Sequence, residues 1–291
     1  MINIIFNNQW YLLYLAGIMI ASAYVQRNGL IYPLLNKLTV FVPSKRLFVV
    51  ATSAIAGILP IAGRVSISAG ILDTIAPKGE RRKHYGILDY LSTHHYYLWS
   101  PIEKSVIIPM AVLGLSYAEF MQLMWPLTVI AIVVPFVLIF VLLDEDDVIV
   151  QTQKQERTKV EWINWQLLIA IAVIIILGNI ARDHTDKIRG YLVFNEWSII
   201  SGAWIGFAAS FLLGSSSRFA AFTAILASIF GVEYLPLFFA VDYTGYMLSP
   251  THKCFAIGKM YFNTSLVTYY THIILLCSFI MATAFILVTF R

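Results

Sequence analysis

One pattern occurs twice in this chain, about half its length apart. An Asp-Tyr pair is followed by a Ser-Pro pair and then by a lysine, first around Ser100-Pro101 and again around Ser249-Pro250. A glycine, an arginine and several serines precede each copy, and such ordered agreement indicates an internal repeat. We therefore predict two related domains, residues 1–145 and 162–291, joined by a polar linker over residues 146–161.

The composition predicts that lipid surrounds much of this chain. Hydrophobic residues make up 59% and charged residues 12%, whereas soluble domains have about 45–50% and about 25%. A helical span needs about 20 apolar residues. Four stretches meet that test, namely Trp10–Tyr24 with its flanks, Phe120–Leu143, Trp162–Ala181 and Tyr269–Phe290. We predict an all-α integral membrane protein whose partner is the bilayer, and the net charge of +4 is too diffuse to favour nucleic acid.

Other apolar segments are interrupted, and these carry more information than the clean spans. Residues 46–77 and 198–239 each contain two short apolar pieces and predict re-entrant helical hairpins. The two Ser-Pro pairs predict broken helices over residues 84–115 and 242–260, because proline removes a backbone donor and disfavours helical geometry in its predecessor. Irregular backbone at membrane depth survives only where protein or a water-filled cavity surrounds it.

The crossing number predicts that the second half is inverted. Each half contains three spans, one of them broken, and a hairpin that returns to its starting side, so each half crosses an odd number of times. With the N-terminus outside, twelve lysines and arginines fall in inner segments and four in outer ones, as the positive-inside rule requires. We expect both termini outside, in a prokaryotic cytoplasmic membrane.

Four basic residues remain at the predicted hairpin tips and breaks. They are Arg64, Arg218, Lys104 and Lys253. An intramembrane charge marks a functional site by default, and half-helix N-termini in inverted-repeat transporters point at anionic groups. The alternative is structural, with these cations paired to Glu103, Asp73, Asp89 and Asp242.

The anion hypothesis predicts a substrate site built from tips and breaks. Its residues are Gly63, Arg64, Ser66, Ser68, Ser100, Pro101, Lys104, Gly214, Ser215, Ser216, Ser217, Arg218, Ser249, Pro250, His252 and Lys253. The serines supply hydroxyls, and the glycines allow close approach of the backbone.

Three carboxylates are candidates for coupling transport to Na⁺ or to protons. Asp89 and Asp242 precede the broken segments and could bind sodium, relay a proton, or act as helix caps. Glu103 and His252 occupy matching positions and could form an asymmetric titratable site; a neutralising contact of Glu103 with its neighbouring lysine is the simpler interpretation.

No metal site, catalytic residue or resident cofactor is predicted, Na⁺ being only a candidate coupling ion. His94 and His95 are adjacent, so on a helix they point about 100° apart and cannot both face one metal. We expect them in an aromatic cluster at the interface or along the broken helix. Cys254 and Cys277 lie in apolar stretches and suggest neither a disulfide framework nor a metal site.

Two stretches resemble the ion transporter superfamily, which includes citrate, dicarboxylate, gluconate and arsenite carriers. They are Gly57–Gly63 with Ser68-Ala69, and Gly245–Cys254. The resemblance is closest to an uncharacterised prokaryotic family. It implies inverted repeats, an anionic substrate, a sodium or proton gradient, elevator-like movement and a homodimer. Arg64 departs from the small residue expected in the first hairpin, so substrate identity is not transferred.

Three other functions stay open at this point. A channel of the same architecture would conduct without gradient coupling, and a short chain could serve as a membrane subunit without transport of its own. A membrane enzyme using Asp89, His94 and His95 is the third, but its groups should then occur in one half only.

Overall fold

The computed structural model describes most of the chain, and every regular element in the described part is helical. The described residues are 2–30, 42, 44–58, 64–144, 163, 165–191, 196–214 and 216–290. The all-α prediction is therefore confirmed for these ranges. The predicted linker, residues 146–161, lies outside the described residues, as do Gly63 and Ser215.

The first half contains six α-helices and one short 3₁₀ segment among its described residues. In chain order they are α1 (Ile2–Arg27), α2 (Lys45–Ile58), α3 (Arg64–Ile75), α4 (Arg82–Ser92), the 3₁₀ segment His95–Leu98, α5 (Lys104–Leu113) and α6 (Tyr117–Leu142). Helices α2 and α3 occupy the segment predicted as the first hairpin. The predicted broken helix 84–115 consists of α4, the 3₁₀ segment and α5.

The second half has a similar order of elements in its described part. They are α7 (Trp165–Asp183), α8 (Thr185–Tyr191), α9 (Glu196–Leu213), α10 (Ser216–Phe230), the 3₁₀ segment Val232–Tyr234, α11 (Leu235–Leu248), α12 (Lys253–Phe262) and α13 (Leu266–Thr289). The predicted hairpin 198–239 extends too far. Helix α10 ends at Phe230 because Gly231 adopts φ 129°, so residues 235–239 belong to the broken helix instead.

The last two helices of each half are joined by the same kind of turn. Helix α5 ends on Gly114 with φ 70°, and α12 ends on Asn263 with φ 53°. Both are left-handed caps, which suit glycine and asparagine. The hydroxyls of Ser116 and Ser265 then accept hydrogen bonds from the first turns of α6 and α13, as N-cap residues do.

The two halves share one core. Helix α3 packs on α12 and α10 packs on α5, so the second arm of each hairpin segment contacts the other half. Helix α4 also contacts α13, α11 contacts α6, and α6 contacts α13. At two glycines the neighbouring backbone leaves no room for a side chain. A Cβ at Gly57 would lie 2.8 Å from Thr93 O, and one at Gly245 would lie 2.5 Å from Phe207 O.

Two of the described helices, α6 and α13, are long and apolar enough to cross a membrane, judged by length and composition. Of the other predicted spans, α1 contributes a shorter apolar stretch, Trp10–Val25. The outward faces of α6 and α13 carry large apolar side chains, for example Val141 and Val267, each 72% exposed.

Candidate functional site

The tip of the first hairpin segment meets the break of the same half. Arg64 is the first residue of α3, and its Nη2 lies 3.2 Å from Oε2 of Glu103, which directly precedes α5. The two side chains are 15% and 8% exposed. The guanidinium also lies 3.8 Å from the ring centroid of Tyr96. We call Arg64, Glu103 and Lys104 the first junction, where side chains at the N-termini of α3 and α5 meet.

The second half has a similar meeting of tip and break. A Cβ at Gly214 would overlap Thr251 Oγ1 and lie 2.9 Å from Ser249 Oγ. These two hydroxyls are 2.9 Å apart, and Thr251 N donates to Ser249 Oγ at 3.3 Å. Gly214 lies two residues before the start of α10, and Lys253 is the first residue of α12. We call Gly214, Ser249, Thr251 and Lys253 the second junction.

A pair of buried tyrosines links the segments in front of the two breaks. The hydroxyls of Tyr97 and Tyr246 are 2.9 Å apart, and their rings meet edge to face at a centroid distance of 5.4 Å. Each tyrosine stands three residues before a Ser-Pro pair.

A histidine cluster lies beside these tyrosines. His94 Nε2 is 3.2 Å from His252 Nε2, and a ring nitrogen of each lies within 4.8 Å of Cys254 Sγ. We use the name histidine cluster for His94, His252 and Cys254. His94 and His95 are both buried along the broken helix, and their rings pack on Tyr90 and on Trp99 respectively. His252 was predicted as a site residue, whereas the contact with His94 depends on how the two halves pack.

Both candidate coupling aspartates are buried inside helices, so neither is an N-cap. The Ser53 hydroxyl donates to Asp89 Oδ1 at 2.8 Å, and the Thr223 hydroxyl donates to Asp242 Oδ2 at 2.7 Å. In each half the donor therefore comes from the hairpin segment of that half. The other oxygen, Asp242 Oδ1, is buried without a hydrogen bond among the described residues.

The alternative hypothesis is that the four basic residues at the tips and breaks form structural ion pairs with nearby carboxylates. The described ion pairs agree with it only in part. Arg64 pairs with Glu103, as that alternative requires. Asp73 instead pairs with Arg82, which belongs to neither junction. Asp89 and Asp242 bind hydroxyls. The side chains proposed for a membrane enzyme have different hydrogen-bond partners. Asp89 accepts from the Ser53 hydroxyl, whereas His94 contacts Tyr90 O and His252.

The remaining predicted site residues are distributed around the junctions. Ser68 is buried and donates to Val65 O at 3.1 Å, while Ser66 is half-buried. Ser100 is buried, and both prolines of the Ser-Pro pairs are exposed. The side chains of Ser216, Ser217 and Arg218 lie outside the described part of the structure.

Comparison with protein-family models, with curated proteins and with solved structures finds no match to this chain. Membership of the ion transporter superfamily therefore stays a prediction.

Proposed function

We propose that this chain is an integral membrane protein that carries a small organic or inorganic anion, driven by a gradient of Na⁺ or protons. The observation that supports this proposal most directly is the meeting of helix N-termini in pairs. Arg64 beside Glu103 brings α3 to α5, and Gly214 against Thr251 brings α10 to α12. Helix N-termini carry partial positive charge and unpaired N–H groups, so they favour an anion.

The distribution of polar and apolar side chains supports the membrane part of the proposal. Asp89, Asp242, Glu103 and the histidine cluster lie mostly inside, whereas large apolar side chains cover the outside of α6 and α13. In water such a surface costs about 25 cal/mol per Å². Lipid removes that cost, and helices satisfy their own backbone hydrogen bonds there.

The two halves are proposed to be inverted repeats in the bilayer. The matching order of helices, the matching left-handed caps at Gly114 and Asn263, and the hydroxyl-bound aspartates support this. An odd number of crossings in each half would turn the second half upside down. Elevator-like movement and a homodimer follow only from the resemblance to the ion transporter superfamily.

The two junctions differ at the position directly before the lysine, and this difference indicates where the anion binds. At the first junction the Glu103 carboxylate already faces Arg64. At the second junction His252 stands where Glu103 stands in the first, so no carboxylate is supplied by that position. We place the transported anion at the second junction, beside the hydroxyls of Ser249 and Thr251, with Lys253 near its path.

Asp242 is the better of the two aspartate candidates for coupling. Its Oδ1 is buried without a hydrogen bond among the described residues, and Gly206 leaves the space next to it. A buried carboxylate oxygen of this kind takes a proton or a sodium ion more readily than one that is fully hydrogen-bonded.

Reconstitution into liposomes tests the proposal. Labelled carboxylates, phosphate and sulfate are offered while the sodium and proton gradients are varied separately. We expect uptake of one class of anion that needs a gradient and falls in Thr251→Val. Lys259→Gln, which changes an exposed lysine in the last turn of α12, serves as the control. Uptake of no anion, or currents that ignore both gradients, would contradict the proposal.

A further inference from the structure

We propose that His94, His252 and Cys254 bind one transition-metal ion of the zinc and copper class, between the two halves of the chain. The two histidines come from opposite halves, and both are almost fully buried, at 1% and 3% exposed. Ring nitrogens of both and Cys254 Sγ lie within 4.8 Å of one another. His252 is adjacent in sequence to Thr251 and Lys253 of the second junction, but the metal site is tested by bound metal and spectroscopy, so its failure is distinguishable from failure of the anion-transport proposal.

The hydrogen bonds of His94 leave its Nε2 free to bind a cation. His94 Nδ1 lies 2.5 Å from Tyr90 O and 3.1 Å from Thr93 Oγ1. A carbonyl only accepts, and the Thr93 hydroxyl already donates to Asp89 O at 2.7 Å. The proton of a neutral His94 is therefore inferred on Nδ1, so that Nε2 presents a lone pair.

The same reasoning applies to His252. The Tyr90 hydroxyl lies 2.9 Å from Met247 O and 2.7 Å from His252 Nδ1. Because Met247 O must accept, the hydroxyl donates there and accepts from His252 Nδ1–H. His252 Nε2 then also presents a lone pair, and the two lone pairs face each other across 3.2 Å. With these tautomers, a cation between the two nitrogens, either a metal ion or a shared proton, relieves the repulsion of the lone pairs.

The spacing fits a metal ion. Two imidazole nitrogens bound to one zinc ion at about 2.0–2.1 Å in tetrahedral geometry lie about 3.3 Å apart, and the observed separation is 3.2 Å. Histidine ligands usually donate their second ring N–H to a carbonyl or another polar group, which fixes the tautomer. Both histidines already have such a partner, provided by Tyr90 O and by the Tyr90 hydroxyl.

The donor set selects the class of metal. Imidazole suits zinc and copper, and a thiolate favours Zn²⁺ or Cu⁺ over Mg²⁺ and Ca²⁺, which prefer oxygen. The ion would displace the proton of the Cys254 thiol. Arg64, the cation of the first junction, is paired with Glu103, which reduces its repulsion of a bound metal. Three ligands leave one coordination position for an exogenous group.

The experiment uses the full-length protein in detergent, purified with a tag that contains no histidine. It is incubated separately with Zn²⁺, with Cu⁺ under reducing conditions and with Mg²⁺, washed, and analysed for bound metal and thermal stability. We expect one tightly held Zn²⁺ or Cu⁺ per chain and a higher midpoint, with no effect of Mg²⁺. Substitution with Co²⁺ should give a thiolate charge-transfer band together with intense visible bands of tetrahedral geometry.

Matched variants separate the site from general metal binding. His94→Gln, His252→Gln and Cys254→Ser should each weaken binding about tenfold or more, and Cys254→Ser should abolish the charge-transfer band. His95→Gln is the histidine control, because His95 Nδ1 already accepts from Trp99 Nε1 at 2.9 Å. Cys277→Ser is the cysteine control, since Cys277 is buried elsewhere. Both controls should retain the metal.

Chemical labelling of Cys254 in the wild-type protein tests the site even if the variants fail to fold. Cys254 is partly accessible, so a maleimide should modify it in the wild-type protein, and Zn²⁺ should block that reaction. Protection of Cys254 supports the site. Absence of a bound metal, absence of the Co²⁺ bands, or equal loss of metal in His95→Gln and His94→Gln overturns it and assigns the contact between the histidines to a shared proton.

Discussion

The hydroxyls of Tyr97 and Tyr246 lie 2.9 Å apart, although the two residues belong to different halves of the chain. Each residue precedes a Ser-Pro pair at the same distance along the sequence, so residues at equivalent positions in the two breaks contact each other. Such a contact is expected close to an axis relating two similar halves.

The tyrosine pair should behave as one unit in stability. Removing one hydroxyl leaves the other buried with a lost partner, which costs about 1–3 kcal/mol, whereas removing both can be nearly neutral. We expect Tyr97→Phe and Tyr246→Phe each to lower the unfolding midpoint in detergent, and the double variant to recover much of the loss. Additive losses would show that the two hydroxyls do not interact.

Gly214 should resist substitution more strongly than a glycine with similar backbone geometry and free space. Gly214 has φ 53° and a Cβ there would overlap Thr251, whereas Gly79 has φ 96° and no neighbour within 4 Å of an added Cβ. Both alanine variants carry backbone strain of about 1–2 kcal/mol. Gly214→Ala should lose more stability than Gly79→Ala, measured by thermal unfolding. Equal losses would place the second hairpin tip away from the second break.

Glu103 should act as an internal anion for Arg64. Glu103→Gln removes the negative partner of a cation that is only 15% exposed, and breaking a buried pair costs about 3–5 kcal/mol. If the carboxylate stands in an anion site, the variant should be stabilised by added anions more than the wild type is. Arg64→Leu combined with Glu103→Gln removes the positive charge as well and should lose that response. A wild-type response to anions in Glu103→Gln would contradict this role.

Asp242 should control coupling rather than anion binding. Asp242→Asn keeps the shape and the hydrogen bond from Thr223 but loses the charge that would attract Na⁺ or a proton. We expect gradient-driven uptake to fall at least about tenfold, while stabilisation by the anion persists. Ser53→Ala tests the matching Asp89 site, and it should change uptake less. Unaltered gradient dependence in Asp242→Asn would exclude Asp242 as the coupling residue.

Tyr90 should position His252 for metal binding. Tyr90→Phe removes the oxygen that accepts from His252 Nδ1–H, so the ring is free to rotate or change tautomer. Loss of such a supporting hydrogen bond typically weakens metal binding about 10–100-fold. The Co²⁺ charge-transfer band should persist at saturating metal, because Cys254 is unchanged. A full loss of the band would instead mean that Tyr90 holds the whole cluster together.

The sequence by itself determined the apolar stretches, the repeated pattern and the two interruptions that contain the Ser-Pro pairs. Helix breaks at Ser100-Pro101 and Ser249-Pro250 follow from local backbone chemistry, so they could be predicted without knowledge of the partners. The adjacent histidines could not be interpreted in this way, because only residues near in sequence could be considered for His94.

The tertiary structure decided which side chains meet across the halves. His94 reaches His252, and α3 packs on α12, because the helices share one core and their relative positions depend on all the contacts in that core. Local spacing carries no information on such distances. Local spacing could therefore predict the two helix breaks, but it could not predict the contact between the histidines or the contact between the tyrosines.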